Sequence, residues 1–421
     1  MMKQHAGAAP MLLILTYLFV TLVSADELDA GQPLKDLPSK PGPHVDKIGS
    51  MGDNSWLELG PPKQDPKWGK ARGRSWCAAM PYAPELGGAF LFGEGVHGYA
   101  KPEGRYMDDL WLYDVNGHRW ICCYPGADTK TLDLHLDDDG FEATRDGELL
   151  PVASQAHGYS MNTYDIDGKR LLSMPNPHSY WKKELPQREK WLKAPPADAS
   201  PWSFDAATGK WHRRRTGSPA PQSSYGDTLI YVPSKKQAFF ARGNKEVWFY
   251  DLVSKKWKQE QTEGPPPPWG IDATSCYDPK RERIYMGGGA YPIAPDDTHS
   301  FWIYDLKANS WVDPKPEGKP CRGSNTYSTL NALMVYDSVN DKVVLLSHSY
   351  HYAKPDRLGV YVYHPDRNAW DSEPLALPEK LRNEQVKNGF YESDLNAVFL
   401  HVAGDSRDDG VIWVYRYRKA K

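Results

Sequence analysis

One aromatic figure, repeated at fixed spacing from one end of the chain to the other, restricts the possible folds more than any other feature. Trp248-Phe249-Tyr250-Asp251 is followed by Trp257, nine residues after Trp248. The same figure reads Trp111-Leu112-Tyr113-Asp114 to Trp120, Trp202-Ser203-Phe204-Asp205 to Trp211, Trp302-Ile303-Tyr304-Asp305 to Trp311, and Tyr361-Val362-Tyr363-His364 to Trp370. A sixth copy opens at Trp413-Val414-Tyr415 and meets the end of the chain where its second Trp would fall. Fixed self-similarity of this kind is the signature of a repeat architecture. Alternating large side chains mark a strand, the Asp bonds the backbone ahead to start a turn, and the next Trp begins a second strand. Turn residues sit in the gaps at Asn116-Gly117, Gly209, Asn309 and Asn368, so each copy is expected to be one strand hairpin.

Two further strands fill each unit. One ends near a Tyr before a turn, as at Tyr82, Tyr164, Tyr231, Tyr277, Tyr336 and Tyr391. The other is the apolar run just after that turn, such as Ala89 to Phe92, Ala238 to Phe240, or Val343 to Leu346. With 35 Gly and 36 Pro there is little room for long helices, while 16 Trp and 25 Tyr supply a large core. The expected class is all-β: six units of four strands, a six-bladed β-propeller. Ser55-Trp56-Leu57-Glu58-Leu59 looks like the second half of a repeat without its first half, and the sixth copy lacks its second half. The two fit each other, so the strand near Trp56 is expected to complete the C-terminal blade and close the ring.

The N-terminus reads as an export signal. Lys3 and His5 precede an apolar run from Met11 to Val23, and Val23-Ser24-Ala25 offers a cleavage site after Ala25. The run is too short to span a bilayer comfortably and contains Thr16 and Thr21, which disfavours a membrane anchor. The organisation expected is therefore a signal peptide over 1–25, a flexible stem over 26–53 and a propeller over 54–421, with a hairpin insertion at about 125–154. Such a protein would be secreted or periplasmic, without a membrane span after cleavage, and a monomer.

A formal charge of −3, from 54 acidic and 51 basic side chains, leaves no electrostatic footprint for nucleic acid. The run Arg213-Arg214-Arg215 reads as a solvated strand end. Cys77, Cys122, Cys123, Cys276 and Cys321 are too few and too irregular for a disulfide framework or a zinc site, and their pairing stays open. Asp137-Asp138-Asp139-Gly140 with Glu142 carries acidic oxygens for calcium, but the segment reads better as a hairpin turn between Leu132 to Leu136 and Phe141 to Thr144. No cofactor is expected.

The order of strands, with Ile284-Tyr285-Met286 running into Gly287-Gly288-Gly289 before Trp-x-Tyr-Asp and a Trp nine later, resembles the kelch repeat, found also in the propeller of galactose oxidase. The resemblance covers roughly residues 54 to 418. It implies that connections between first and second and between third and fourth strands lie on one face, and the other two kinds on the opposite face. Connections of the first kind are short, as at Asp167-Gly168 and Ser338 to Asp341. Long insertions gather on the second face: Gly93 to Met107, Pro125 to Ser154, Pro175 to Ser200, Ala290 to His299, Ser349 to Arg357 and Gly404 to Asp409. Insertions concentrated on one rim usually build a binding surface.

That rim holds the candidate site residues. His97, Tyr99, Tyr180, Trp181, Asp272, Tyr291, Asn325, Tyr327, Tyr350, His351 and His401 are candidate ligand-binding residues, with aromatic faces for stacking on sugars and polar groups for hydroxyls. The expected activity is binding of a ligand, a glycan by preference, because no nucleophile elbow, phosphate loop or zinc motif occurs. An alternative is a carbohydrate-active enzyme of polysaccharide lyase or sugar epimerase type. His157, Tyr159, His178 and His348 would then be candidate proton-transfer groups, with Arg242 neutralising a substrate carboxylate. Resemblance to galactose oxidase would imply copper-radical oxidation, the weaker enzymatic reading, which needs two Tyr, two His and a Cys cross-linked to one Tyr together with domains outside the propeller. An interaction scaffold, a common use of kelch rings, is the remaining reading.

Overall fold

Each aromatic figure forms the third strand of a four-stranded antiparallel sheet, and the Trp nine residues on lies in the fourth. The spacing has a direct cause. The aromatic two residues into the figure sits straight across from that Trp: Tyr113 opposite Trp120, Phe204 opposite Trp211, Tyr250 opposite Trp257, Tyr304 opposite Trp311 and Tyr363 opposite Trp370. Their ring centroids are 5.4, 5.2, 4.9, 5.0 and 5.2 Å apart, within the range of favourable aromatic pairs. The turn between them needs one left-handed residue, and Gly209, Lys255, Asn309 and Asn368 supply it at φ 68°, 58°, 51° and 50°. In the first blade that residue is His118 at φ 46°, one position beyond the expected Asn116-Gly117. There the Asp114 carboxylate accepts the Gly117 N–H at 3.0 Å and fills the space a Cβ on Gly117 would need.

The computed structural model describes residues 32–74, 77, 79–93, 108–126, 134–151, 160–175, 199–217, 219–223, 227–242, 246–265, 267, 273–288, 300–318, 332–347, 359–372, 375–381, 386–403 and 410–420. Its architecture is an all-β, six-bladed propeller with four-stranded antiparallel blades. The inner strands are Tyr82–Ala83, Asn162–Asp165, Thr228–Val232, Ala273–Asp278, Leu333–Asp337 and Val386–Glu392. Inner strands of neighbouring blades touch, as where Met80 N–H donates to Gly389 O at 2.8 Å and Leu229 N–H to Ser160 O at 2.8 Å. In the fifth blade the short strand Leu375–Ala376 also pairs with Gly359–His364.

The core lies between blades. Phe239 and Phe249 of the third blade pack with Ile284, Tyr304 and Trp311 of the fourth, and Tyr285 and Phe301 of the fourth with Tyr336, Tyr363 and Trp370 of the fifth. Every repeated Trp thus has a packing role, and truncating one to Ala would cost about 3–5 kcal/mol. The connector after a fourth strand runs along the outer strand of the next blade: Trp311 N–H donates to Glu263 O at 3.0 Å and Trp370 N–H to Glu317 O at 2.8 Å. Gly264 and Gly318 follow these contacts at φ 79° and 74°, each so close to the Trp carbonyl that a Cβ would strike it.

Strand Ser55–Gly60 pairs antiparallel with Val411–Arg416, placing Trp56 opposite Tyr415 at a centroid distance of 4.6 Å. The sixth blade is therefore built from both ends of the described chain. Arg416 reinforces the junction by donating to Met51 O and Leu395 O, each at 2.7 Å.

Two expectations need correction. Residues 32–53 do not behave as a flexible stem: a short helix, Pro43–Gly49, buries Ile48 in the core shared by the sixth and first blades, and Leu34 is buried beside Leu86 and Leu112. The segment straps the outer turn of the first blade, where Asn116 donates to Ser39 O at 2.9 Å, Gly42 N–H to Asn116 O at 3.0 Å and His44 Nε2 to Val115 O at 2.7 Å. Two apolar anchors in a polar stretch give no periodicity to read. Arg213 is likewise not a solvated strand end. It is buried with its guanidinium 4.2 Å from the Phe141 ring and 5.1 Å from that of Trp202, while Arg215 Nε donates to Asp139 O at 2.6 Å. These contacts hold the inserted hairpin Leu134–Leu136/Glu142–Thr144 on the second blade.

Candidate functional site

Within its own sheet each inner strand pairs on one side only, and the six inner edges surround a central cavity of about 450 Å³. Its size falls within the range of small-molecule sites, and all six inner strands contribute to its wall. Ser160, Asn162, Thr163 and Ser275 supply side-chain polar atoms, alongside apolar and aromatic groups such as Leu229, Val335 and Phe390. The Thr163 hydroxyl accepts the Tyr231 N–H at 2.9 Å. The Ser275 oxygen is buried and has no hydrogen-bond partner among the described residues.

Toward the face of short turns, the six tyrosines that end the inner strands form a collar. Tyr82 donates to Glu392 at 3.0 Å, Tyr277 to Glu282 at 2.7 Å, Tyr336 to Asp341 at 2.8 Å and Tyr391 to Asp337 at 2.8 Å. Tyr164 donates to Glu85 and Tyr231 to Asp167. Bonds at this level cross every junction of the ring. Tyr82, Tyr164, Tyr231 and Tyr391 each reach a neighbouring blade. Ser234 of the third blade donates to Glu282 of the fourth at 2.5 Å, and Arg281 of the fourth holds Asp341 of the fifth at 2.5 Å.

Burial, with the adjacent carboxylates second, pushes all six phenols upward from their ordinary value of 10.0. Hydrogen bonding to Arg281 holds the Asp341 carboxyl low. The shift and the geometry agree: each collar phenol keeps its proton and donates it to a carboxylate as a hydrogen bond.

On the long-loop side a second buried network braces the cavity where the sixth, first and second blades meet. Arg74 pairs with Asp109 at 2.6 Å, and Trp111 Nε1 donates to the other oxygen of Asp109 at 2.6 Å. Asn388 accepts Arg74 N–H at 2.9 Å and donates to Arg74 O at 2.8 Å and to Cys77 O, while Asn162 donates to Phe92 O at 3.0 Å. Burial raises the Cys77 thiol to about 11, so it is an inert member of this network. Cys77, Cys123 and Cys276 all carry free thiols.

Most of the rim residues expected from the sequence, namely His97, Tyr99, His157, Tyr159, His178, Tyr180, Trp181, Asp272, Tyr291, Asn325, Tyr327, His348, Tyr350 and His351, lie outside the described residues. Arg242 ends the strand Gln237–Arg242, in register with Glu246. His401 does not reach the rim surface. It is 1% exposed in the middle strand Ala397–Ala403, its ring 5.0 Å from that of Trp120, in space that Gly410 leaves open. A strand position inside a blade buries the imidazole, so His401 is a core residue. The sequence marked the collar tyrosines only as strand ends; the acidic residue that follows several of them, as in Tyr277-Asp278, Tyr336-Asp337 and Tyr391-Glu392, was the available signal. Among the described residues, no three His, Cys, Asp or Glu side chains are placed to hold a metal ion, and no helix is long and apolar enough to cross a membrane.

No protein-family model matches the chain, and no curated protein matches it. Among solved structures it is similar to an auxiliary nutrient binding protein from Bacteroides thetaiotaomicron, at 10% sequence identity over 87% of this chain and 77% of that one, with a TM-score of 0.46.

Proposed function

We propose that this chain is an exported, kelch-type propeller that binds a glycan, with the central cavity as the floor of the site and the long loops as its rim. The observation that carries the reading is the cavity itself, whose wall combines aromatic rings with hydroxyl and amide groups and with the inner edges of six strands. Sugars offer the complementary surface: apolar ring faces for aromatics and hydroxyls for uncharged donors and acceptors. The kelch assignment is supported by the Gly-containing fourth repeat and the Trp-x-Tyr-Asp spacing, and export by the N-terminal apolar run ending in Val23-Ser24-Ala25.

The test is a binding screen of the purified protein against a polysaccharide and oligosaccharide panel, with product masses followed in the same incubations. Saturable binding without mass change is the expected result. Conversion of any sugar would replace the binding reading by an enzymatic one, and a blank panel would remove the glycan. Mass determination of the exported product should place its N-terminus at Asp26; retention of residues 1–25 would overturn the export signal.

A further inference from the structure

We infer that the central cavity selects for uncharged saccharides and excludes anionic ones such as uronates and sialosides. The inference rests on the reading of the cavity as the ligand site and adds to it the charge class of the ligand. Every inner strand contributes to the wall, yet among the described residues no lining side chain is an Asp, Glu, Lys, Arg or His. A charged group brought into such a space surrenders its hydration and finds no counter-charge, which is expensive. Ionic groups behind the wall make an anion less welcome still. Carboxylates Glu85, Asp167, Glu282, Asp337, Asp341 and Glu392 stand behind the tyrosine collar, each already accepting a phenolic hydrogen bond. The guanidinium that would otherwise attract an anion on that side, Arg281, is spent on Asp278 and Asp341 at 2.9 and 2.5 Å. On the long-loop side the Arg74 guanidinium is fully buried and paired with Asp109.

What remains available is neutral hydrogen bonding. The inner strands carry backbone donors and acceptors along edges that neighbouring blades occupy only in part, as at Met80 N–H to Gly389 O and Leu229 N–H to Ser160 O, and the Ser275 hydroxyl has no partner among the described residues. Unpaired polar groups of this kind are satisfied by hydroxyls, which donate and accept without carrying charge. A hydroxyl-rich, uncharged ligand therefore gains where a carboxylate or an ammonium group only loses.

The experiment uses matched pairs in which the ring is kept and the charge is changed: galacto-oligosaccharides against oligogalacturonates, and chitin oligomers against their deacetylated, cationic counterparts. Affinities for the purified protein would be measured by calorimetry at moderate ionic strength. At least one neutral member should bind, with its charged counterpart about tenfold or more weaker, a difference of about 1.4 kcal/mol. Ser275→Ala should weaken the neutral ligand about fivefold, as loss of one neutral hydrogen bond does. The larger Ser275→Leu should abolish binding while circular dichroism reports a native fold. Equal or tighter binding of an oligogalacturonate or chitosan oligomer would overturn the charge selection and leave the binding reading standing. Unchanged affinity in Ser275→Ala would move the site away from this wall and overturn the inference. Silence from every sugar would remove the binding reading and the inference with it.

Discussion

A phenol can donate to a carboxylate, act as a base, or stack on a sugar, and the collar tyrosines show how burial decides among these roles. Tyr391 is half-buried, donates to Asp337 Oδ1 at 2.8 Å and lies 3.1 Å from Asn396 Oδ1. Replacing it with Phe removes one of the two donors to Asp337 Oδ1, which keeps the Asn340 N–H at 2.9 Å, while retaining the ring, so Tyr391→Phe should lower stability by about 1 kcal/mol. Urea unfolding should report this as a lower midpoint at unchanged slope; an unchanged midpoint would show that the Asn340 donors alone satisfy Asp337. Alkali provides a second check. The unfolded chain releases phenolic protons near pH 10 while the folded collar retains them, so stability must fall as pH rises past 10. Spectrophotometric titration should find these phenols silent until the protein unfolds. Individual residues were legible in the sequence only where the repeat made them so. Six tyrosines before six turns are visible in the chain, but which carboxylate each one meets depends on the neighbouring blade. His401 reads as a rim residue by its position near a long loop, yet strand register buries it against Trp120.

The hairpin is the element in which sequence and structure correspond most closely, because cross-strand pairing of an aromatic with Trp fixes both the spacing and the register. The left-handed turn residue is under the same local control. Tyr304 donates to Asn309, and Tyr363 to Asn368 at 2.8 Å, whereas in the first blade Tyr113 meets His118 Nδ1 at 2.7 Å. Burial, followed by the nearby His44 and Lys63, pushes the His118 imidazole down to about 4 from 6.5. An unfolded His takes up its proton below about 6.5 and the folded one resists until about 4, so stability should be complete at neutral pH and decline between those values. His118 is partly solvated, which limits the loss to about 1–2 kcal/mol. His118→Asn installs the residue used at the equivalent turns of the fourth and fifth blades and should erase this acid-sensitive component without disturbing the fold. Unfolding midpoints at pH 7 and pH 4.5 would measure it; an identical pH dependence in both proteins would assign the acid response elsewhere. The N-terminal strap over this turn was not legible, since Leu34 and Ile48 are single anchors in a polar segment and become recognisable only beside the surface they cover.

At the scale of the whole molecule, the ring replaces exposed strand edges with junctions between blades, and one blade is assembled from two distant parts of the chain. The repeat count and the half-repeat at Trp56 made the six-bladed architecture readable from sequence, because packing a Trp hairpin against the next one leaves few other solutions. The loops of the long-insertion face carry no such periodicity, so sequence can mark where a site belongs but not its geometry. Closure brings the strand Ser55–Gly60 to the edge of Val411–Arg416 and gives Arg416 the carbonyls of Met51 and Leu395. A chain beginning at residue 61 would leave Val411–Arg416 as an open edge, with Tyr415 stripped of Trp56 and Arg416 of Met51 O. Unpaired edges recruit other strands, so the truncated protein should self-associate and lose much of its thermal stability. Light scattering after gel filtration would detect the association, and a peptide spanning 54–61 should restore the monomer by completing the blade in trans. If the truncated chain stayed monomeric with an unchanged midpoint, five complete blades and a three-stranded sixth would suffice to hold the ring. If the peptide rescued it, the ring around the cavity would owe its closure to a strand that does not itself line the cavity.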